Sequence, residues 1–260
     1  PALVFFNSLK SKPMHHNRFA GLLSSAILAL FLTSCGGSGN EKTTATDSAA
    51  ADTAAKAPAA AEINTIITTP QNMVVVTQKV RNYAKWKIVY DGHDSARLAN
   101  GAHNYVIGRG LQYSNVVMVA LKIDDTAKAK AFAKSPGLRT AMQKGGVVGT
   151  PTISFITETW QDTAIIDSKI RSTTIFTVKD WDAWQKAFDE GKQERTDNGI
   201  AARVIGHDLN NNKKVALVTA LTDTAKAFAY FKSDALKKRR EASGVIGEPS
   251  RFLFRIVQRY

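Results

Sequence analysis

The 260 residues carry 35 Lys and Arg against 22 Asp and Glu, a formal charge of +13, with 44 % hydrophobic residues and one cysteine. A single cysteine, lying ahead of any candidate core, excludes internal disulfides, thiolate catalysis and Cys-ligated zinc. The basic balance bears on attraction to anionic surfaces, yet aromatic and basic residues do not interleave as in RNA-recognition modules. The longest basic run, Lys237 to Arg240, reads as the solvated face of a helix, and no nucleic-acid partner is expected.

In chain order, the first element is a targeting segment. Residues 1–13 precede the first candidate initiator, Met14, and are read as an upstream extension. Arg18 then supplies a positive start, and Leu22 to Leu32 forms an apolar stretch of signal-peptide length, short of the roughly 20 residues that span a bilayer. It ends in Leu32, Thr33, Ser34 and Cys35, a quartet that resembles the bacterial lipobox. The resemblance implies cleavage before Cys35 and lipid on its sulfur, placing the chain in the bacterial cell envelope, on the periplasmic side or at the cell surface. The lipid bilayer is then a partner, and His15 and His16 are lost with the leader. Removing Lys10, Lys12 and Arg18 leaves a charge of 13 − 3 = +10. Residues 36–68, rich in Ala, Thr and Ser, have too few large apolar side chains in their first part to offset the entropy of ordering, and read as a flexible tether.

The remainder repeats itself at a constant offset of 98 residues, aligning Trp86 with Trp184, Asn100-Gly101 with Asn198-Gly199, Val106-Ile107-Gly108 with Val204-Ile205-Gly206, and Asp125 to Ala129 with Asp223 to Ala227. Two domains are expected, 69–165 and 166–260. In the first, Met73 to Val80 reads as a strand rich in β-branched residues. Asn82 caps a helix carrying Tyr83, Trp86 and Tyr90 on one stripe, which is core at helical spacing, and Asn100-Gly101 stops it. His103 to Leu111 and Val116 to Ile123 read as a strand pair. Asp125 caps a second helix ending near Gly145, and a last strand follows Pro151. The second domain repeats this βαββαβ order. The fold class is α+β, two tandem ferredoxin-like units whose antiparallel sheets cover one another.

The Tyr/Trp-x-x-Trp helix start, the Asn-Gly stop, the strand pair, Asp-Thr-Ala-Lys-Ala and Gly-Val-x-Gly-x-Pro together resemble the dimeric α/β-barrel superfamily, which includes antibiotic-biosynthesis monooxygenases. The resemblance covers about residues 73–158 and 173–257 and implies a pseudo-dimeric α/β barrel within one chain, an arrangement open to a monomer among other oligomeric states. It implies no single activity, because the architecture hosts cofactor-free oxygenases, haem enzymes and isomerases.

Strand alternation puts His103, Tyr105, Ile107 and Arg109 on one face, with Ala201, Arg203, Ile205 and His207 at the matching positions. His103, Tyr105, Arg109, Arg203 and His207 are therefore the candidate ligand-binding residues: histidine titrates near neutrality and arginine holds anions. Arg97 and Arg195, both near a helix stop, are expected to meet helix-end carbonyls. Asp91, His93 and Asp94 suggest a metal, but the second copy has Asp189, Gly191 and Lys192 there, so neither a metal nor a cofactor is expected. Two function classes fit: a non-catalytic envelope protein binding a small molecule or partner, or a cofactor-free oxygenase-like or other small-molecule enzyme working between the sheets. Haem binding would need an axial ligand such as His103 or His207.

Overall fold

A computed structural model describes residues 64–260; the leader, Cys35 and most of the expected tether lie outside the described residues. The elements follow the repeat. After a two-residue strand β1 (Ile66–Ile67), the first copy runs β2 (Gln71–Val80), α1 (Tyr83–Gly92), α2 (Asp94–Ala99), β3 (Ala102–Gly110), β4 (Val116–Ile123), α3 (Thr126–Lys134), α4 (Pro136–Lys144) and β5 (Val147–Asp162). The second runs β6 (Ile170–Val178), α5 (Trp181–Glu190), α6 (Lys192–Asp197), β7 (Ile200–Asp208), β8 (Asn211–Leu221), α7 (Thr224–Phe231), α8 (Asp234–Ala242) and β9 (Val245–Arg259). The last residues expected in the tether are thus structured: Ile66 and Ile67 pair with Asp162 and Gln161 of β5.

Capping explains where the helices start. Asn82 and Asp180 accept from the backbone N–H of Lys85 and Ala183 at 3.0 and 2.9 Å, and Asp125 and Asp223 do the same for α3 and α7. Each expected helix is in fact two. The second pair breaks where Ser135 and Ser233 turn extended and cap α4 and α8, helped in the first copy by Pro136, which has no N–H to continue the ladder. The last strand starts five residues earlier than expected, at Val147. Pro151 falls inside a bulge, where the register jumps from Thr77 opposite Thr152 to Lys79 opposite Val148, so no ladder bond is lost to the missing N–H.

Each copy forms an antiparallel sheet, in the orders β5-β2-β4-β3 and β9-β6-β8-β7. Two seams, β3 on β9 and β5 on β7, join them into a closed eight-stranded barrel. The seams are equivalent: Val106 faces Arg259 and Val204 faces Gln161, with a bulge at matching places in each. Closure removes the exposed edges that an open pair of sheets would present. At the second seam a Cβ on Gly206 would meet the carbonyl oxygen of Thr157 at 2.4 Å, so only glycine permits that approach. The helices cover the outside over separate apolar clusters centred on Trp86 and Trp184, each 3 % exposed, while Met73, Ile156 and Ala216 form a cluster within the barrel.

Candidate functional site

The barrel is not filled. It encloses a cavity of about 560 Å³ walled by apolar side chains of both copies, among them Val75, Met118, Ala120 and Ile156 from the first and Ile175, Val218, Phe252 and Phe254 from the second. Small side chains such as Ala120 and Ala216 leave the room that larger ones would occupy. Tyr105, Glu158, Gln161, Asp162, Arg171, Arg203 and Arg259 also line it.

Strict alternation fails on β3 and β7, and the failure decides which candidate residues meet. Both strands bulge at one residue, Tyr105 between Asn104 and Val106 and Arg203 between Ala202 and Val204, which shifts the phase of every later side chain. Tyr105 and Val106 both face the cavity, as do Arg203 and Val204, whereas Ile107 and Ile205 turn to the helix-side cores. The five residues expected on one face are therefore divided. Tyr105 and Arg203 line the cavity. His103 is exposed, its Nε2 2.7 Å from Asp124 Oδ2. Arg109 donates to the Ser114 carbonyl at 2.8 Å and lies 4.3 Å over the Tyr83 ring, and His207 packs edge-on against Trp181 at 5.0 Å. None of these three lines the cavity.

Five residues of the polar lining escaped the sequence: Glu158, Gln161, Asp162, Arg171 and Arg259. A signal existed in the mismatches of the repeat, since these positions correspond to Ile256, Arg259, Tyr260, Met73 and Gln161 at the offset of 98. At the cavity the first copy supplies the neutral and acidic groups, and the second supplies three guanidiniums.

Arg203 is held in place, pairing with Asp162 at 2.9 Å and donating to the Ala164 carbonyl at 2.5 Å. Asp162 is engaged at both oxygens, since the other accepts from Thr65 Oγ1 and the Ala164 N–H at 2.8 and 2.9 Å. Arg171 donates to the carbonyls of Ser168 and Ile170 at 2.6 and 3.0 Å and, like Arg259, makes no ion pair among the described residues. Burial, with Arg259 and Arg203 nearby, pulls the Arg171 guanidinium down to about 10, so it stays charged at neutrality. Burial also raises the Tyr105 phenol, to which Gln161 donates a hydrogen bond. The Glu158 carboxyl, 6 % exposed, is pushed up to about 7 by burial, against the pull of Lys122. Guanidiniums that outnumber carboxylates in a low-dielectric pocket create a field favouring an anion, and Glu158 can hold or release a proton near neutrality.

Haem does not fit as the sequence suggested, because neither His103 nor His207 reaches the cavity and, among the described residues, no histidine or cysteine lines it. Among the described residues no group of three or more metal-ligating side chains occurs. Asp91 pairs with Lys87, Asp94 with Arg97, and His93 stacks on Phe132.

The sequence matches no protein-family model and no curated protein. Solved structures do match. An anthrone oxidase-like protein aligns over 74 % of this chain and 94 % of its own with a TM-score of 0.52 at 12 % identity. A ferredoxin-fold protein related to antibiotic-biosynthesis monooxygenases, from Listeria monocytogenes, aligns over 74 % and 97 % with 0.43 at 6 % identity. A haem-binding protein from Thermus thermophilus aligns over 74 % and 94 % with 0.44 at 10 % identity. The fold is therefore the ferredoxin-like dimeric α/β barrel, built here from one chain. At these identities the likeness extends to the fold alone.

Proposed function

We propose that this chain is a lipid-anchored protein of the bacterial cell envelope whose barrel binds a small apolar molecule bearing an anionic group, such as an aromatic or aliphatic carboxylate. The observation that carries the ligand class is the pairing, in one cavity of about 560 Å³, of apolar walls with Arg171, Arg203 and Arg259. The volume falls within the roughly 300–1,000 Å³ of ordinary small-ligand sites. The apolar walls take up the body of such a molecule, and a guanidinium fork takes its carboxylate in two parallel hydrogen bonds. The anchor rests on the sequence from Arg18 to Cys35.

Organic extraction of the purified chain followed by mass spectrometry tests the ligand class. An anionic apolar compound enriched over an Arg171→Met control is expected, and a cationic or uncharged polar compound would contradict it. For the anchor, Cys35→Ser is expected to move the chain from the membrane fraction to the soluble fraction, and retention in the membrane would count against it.

A second reading is favoured by Glu158. A buried carboxyl pushed up to about 7, lining the same cavity as three guanidiniums, can remove a proton from a bound acid and leave the resulting anion stabilised, the first requirement of a cofactor-free oxygenase. Glu158→Gln separates the readings, since a carrier keeps its affinity whereas an enzyme keeps binding and loses turnover.

A further inference from the structure

The second copy holds another cluster of guanidiniums, outside the barrel and between its helices and its sheet. Arg195, Arg239, Arg240 and Arg251 line a cavity of about 90 Å³ together with Trp184 and Tyr230. The run from Lys237 to Arg240 is thus not a uniformly solvated face: Lys237 and Lys238 are exposed, while Arg239 and Arg240 are half-buried. At the same places the first copy has Arg97, Ala141, Met142 and Ile153, so three of the four cations were gained or lost by one copy alone.

Of the acids nearby, only Glu194 pairs with one of the four, Arg239, which leaves Arg195, Arg240 and Arg251 without an ion pair among the described residues. Glu194 is engaged twice over, accepting from Arg239 Nε at 2.6 Å and from the Tyr230 hydroxyl at 2.9 Å. Among the described residues, Asp189 and Glu248 make no ion pair with Arg195 or Arg240. Arg195 lies 3.5 Å over Phe188 and donates to its carbonyl. Arg251 lies 3.6 Å over Phe231, and among the described residues its one hydrogen-bond acceptor is Thr174 Oγ1 at 3.4 Å. Burial first, and Arg240 second, pull the Arg251 guanidinium down to about 10, still charged at neutrality. Like charges held together beside an aromatic core are costly unless an anion joins them.

We infer that this cavity is a second binding site, for one tetrahedral oxyanion of the phosphate class gripped by Arg240 and Arg251 with Arg195 and Arg239 behind. The cavity of about 90 Å³ exceeds several times over the roughly 10–15 Å³ that one water needs, which leaves room for such an ion. Stacking on Phe188 and Phe231 fixes two of the guanidinium planes, so their donors are ordered before binding. The inference is independent of what the barrel holds.

Isothermal titration of the purified chain with inorganic phosphate at constant ionic strength tests it. One saturable site is expected. The double change Arg240→Met with Arg251→Ile, which installs the residues the first copy already accommodates, is expected to weaken that site at least tenfold, while Arg171→Met in the barrel leaves it intact. Glycerol phosphate in a parallel titration separates two sources of the same chemistry. Weaker binding than phosphate assigns the site to the free ion, and equal or tighter binding assigns it to a phosphate monoester. Arg251→Lys, which keeps the charge but loses the fork, is expected to weaken binding severalfold should the double variant not fold. Absence of binding to the parent chain, an unchanged isotherm in the double variant, or loss of the site in Arg171→Met would overturn the inference.

Discussion

The two copies share a backbone and differ in chemistry. Their strands bulge at matching residues, Tyr105 and Arg203, and their cores centre on matching tryptophans. Yet around the barrel cavity Glu158, Gln161 and Met73 of one copy correspond to Ile256, Arg259 and Arg171 of the other. Outside the barrel, the first copy lines its small cavity with Gln78, His93 and Arg97, which leave Oε1, Nδ1 and Nε without partners among the described residues, while the second copy gathers arginines. A dimer of identical chains would have to repeat each charge across its axis. Joining the copies in one chain lets one half keep the acid and the other take the guanidiniums, so a single cavity serves one ligand with distinct ends.

If the copies are equivalent in core and different in site, the largest effects should be the symmetric ones. Trp86→Ala and Trp184→Ala are each expected to cost about 3–5 kcal/mol in denaturant unfolding, and a tolerant copy would break the equivalence. Glu158→Gln comes next, and it has no counterpart at Ile256. The folded carboxyl titrates at about 7 against an ordinary 4.5, so the folded state holds this proton longer than the unfolded chain. Stability tied to the group is fully present below pH 4.5 and lost as pH rises through 7. At pH 8 the glutamine variant is therefore expected to be more stable by roughly 3 kcal/mol, at about 1.36 kcal/mol per pKa unit, and the gain should vanish near pH 4; a gain independent of pH would refute the titration.

Asp162→Ala, replaced in the second copy by Tyr260, should cost about 2 kcal/mol. That lies below the cost of breaking a fully buried pair, because the side chains of Arg203 and Asp162 are 9 % and 20 % exposed. The caps are the smallest test: Asn82→Ala and Asp180→Ala should each cost about 1 kcal/mol in thermal or chemical unfolding, and a cost above about 3 would give one cap a role the other lacks.

The fold was legible because the repeat doubled each weak local signal. The caps at Asn82, Asp125, Asp180 and Asp223, the Asn-Gly stops and the aromatic stripes all recur. The site was less legible, for a geometric reason. A one-residue bulge is carried by backbone pairing, which the side chains of Asn104, Tyr105 and Val106 do not announce, so period-two reading placed Arg109 and His207 beside Tyr105 and Arg203 when the bulge turns them away. The breaks within the helix pairs were hidden too, since Ser135 and Ser233 read equally well inside a helix until their extended backbone makes them caps. Glu158, Gln161, Asp162, Arg171 and Arg259 went unseen because they differ between copies, and attention to agreement passes over the positions where a duplicated pocket specialises.

The most direct test of the barrel as an anion-binding site is fluorescence titration with 1-anilino-8-naphthalenesulfonate, an aromatic anion, of the parent chain and of Arg171→Met, which restores the methionine of the first copy. One site per chain is predicted, weakened about tenfold or more in the variant, as expected for loss of a charged hydrogen-bond donor worth about 1.5–3 kcal/mol. Equal affinity in both proteins, or no saturable binding to the parent, would contradict the account.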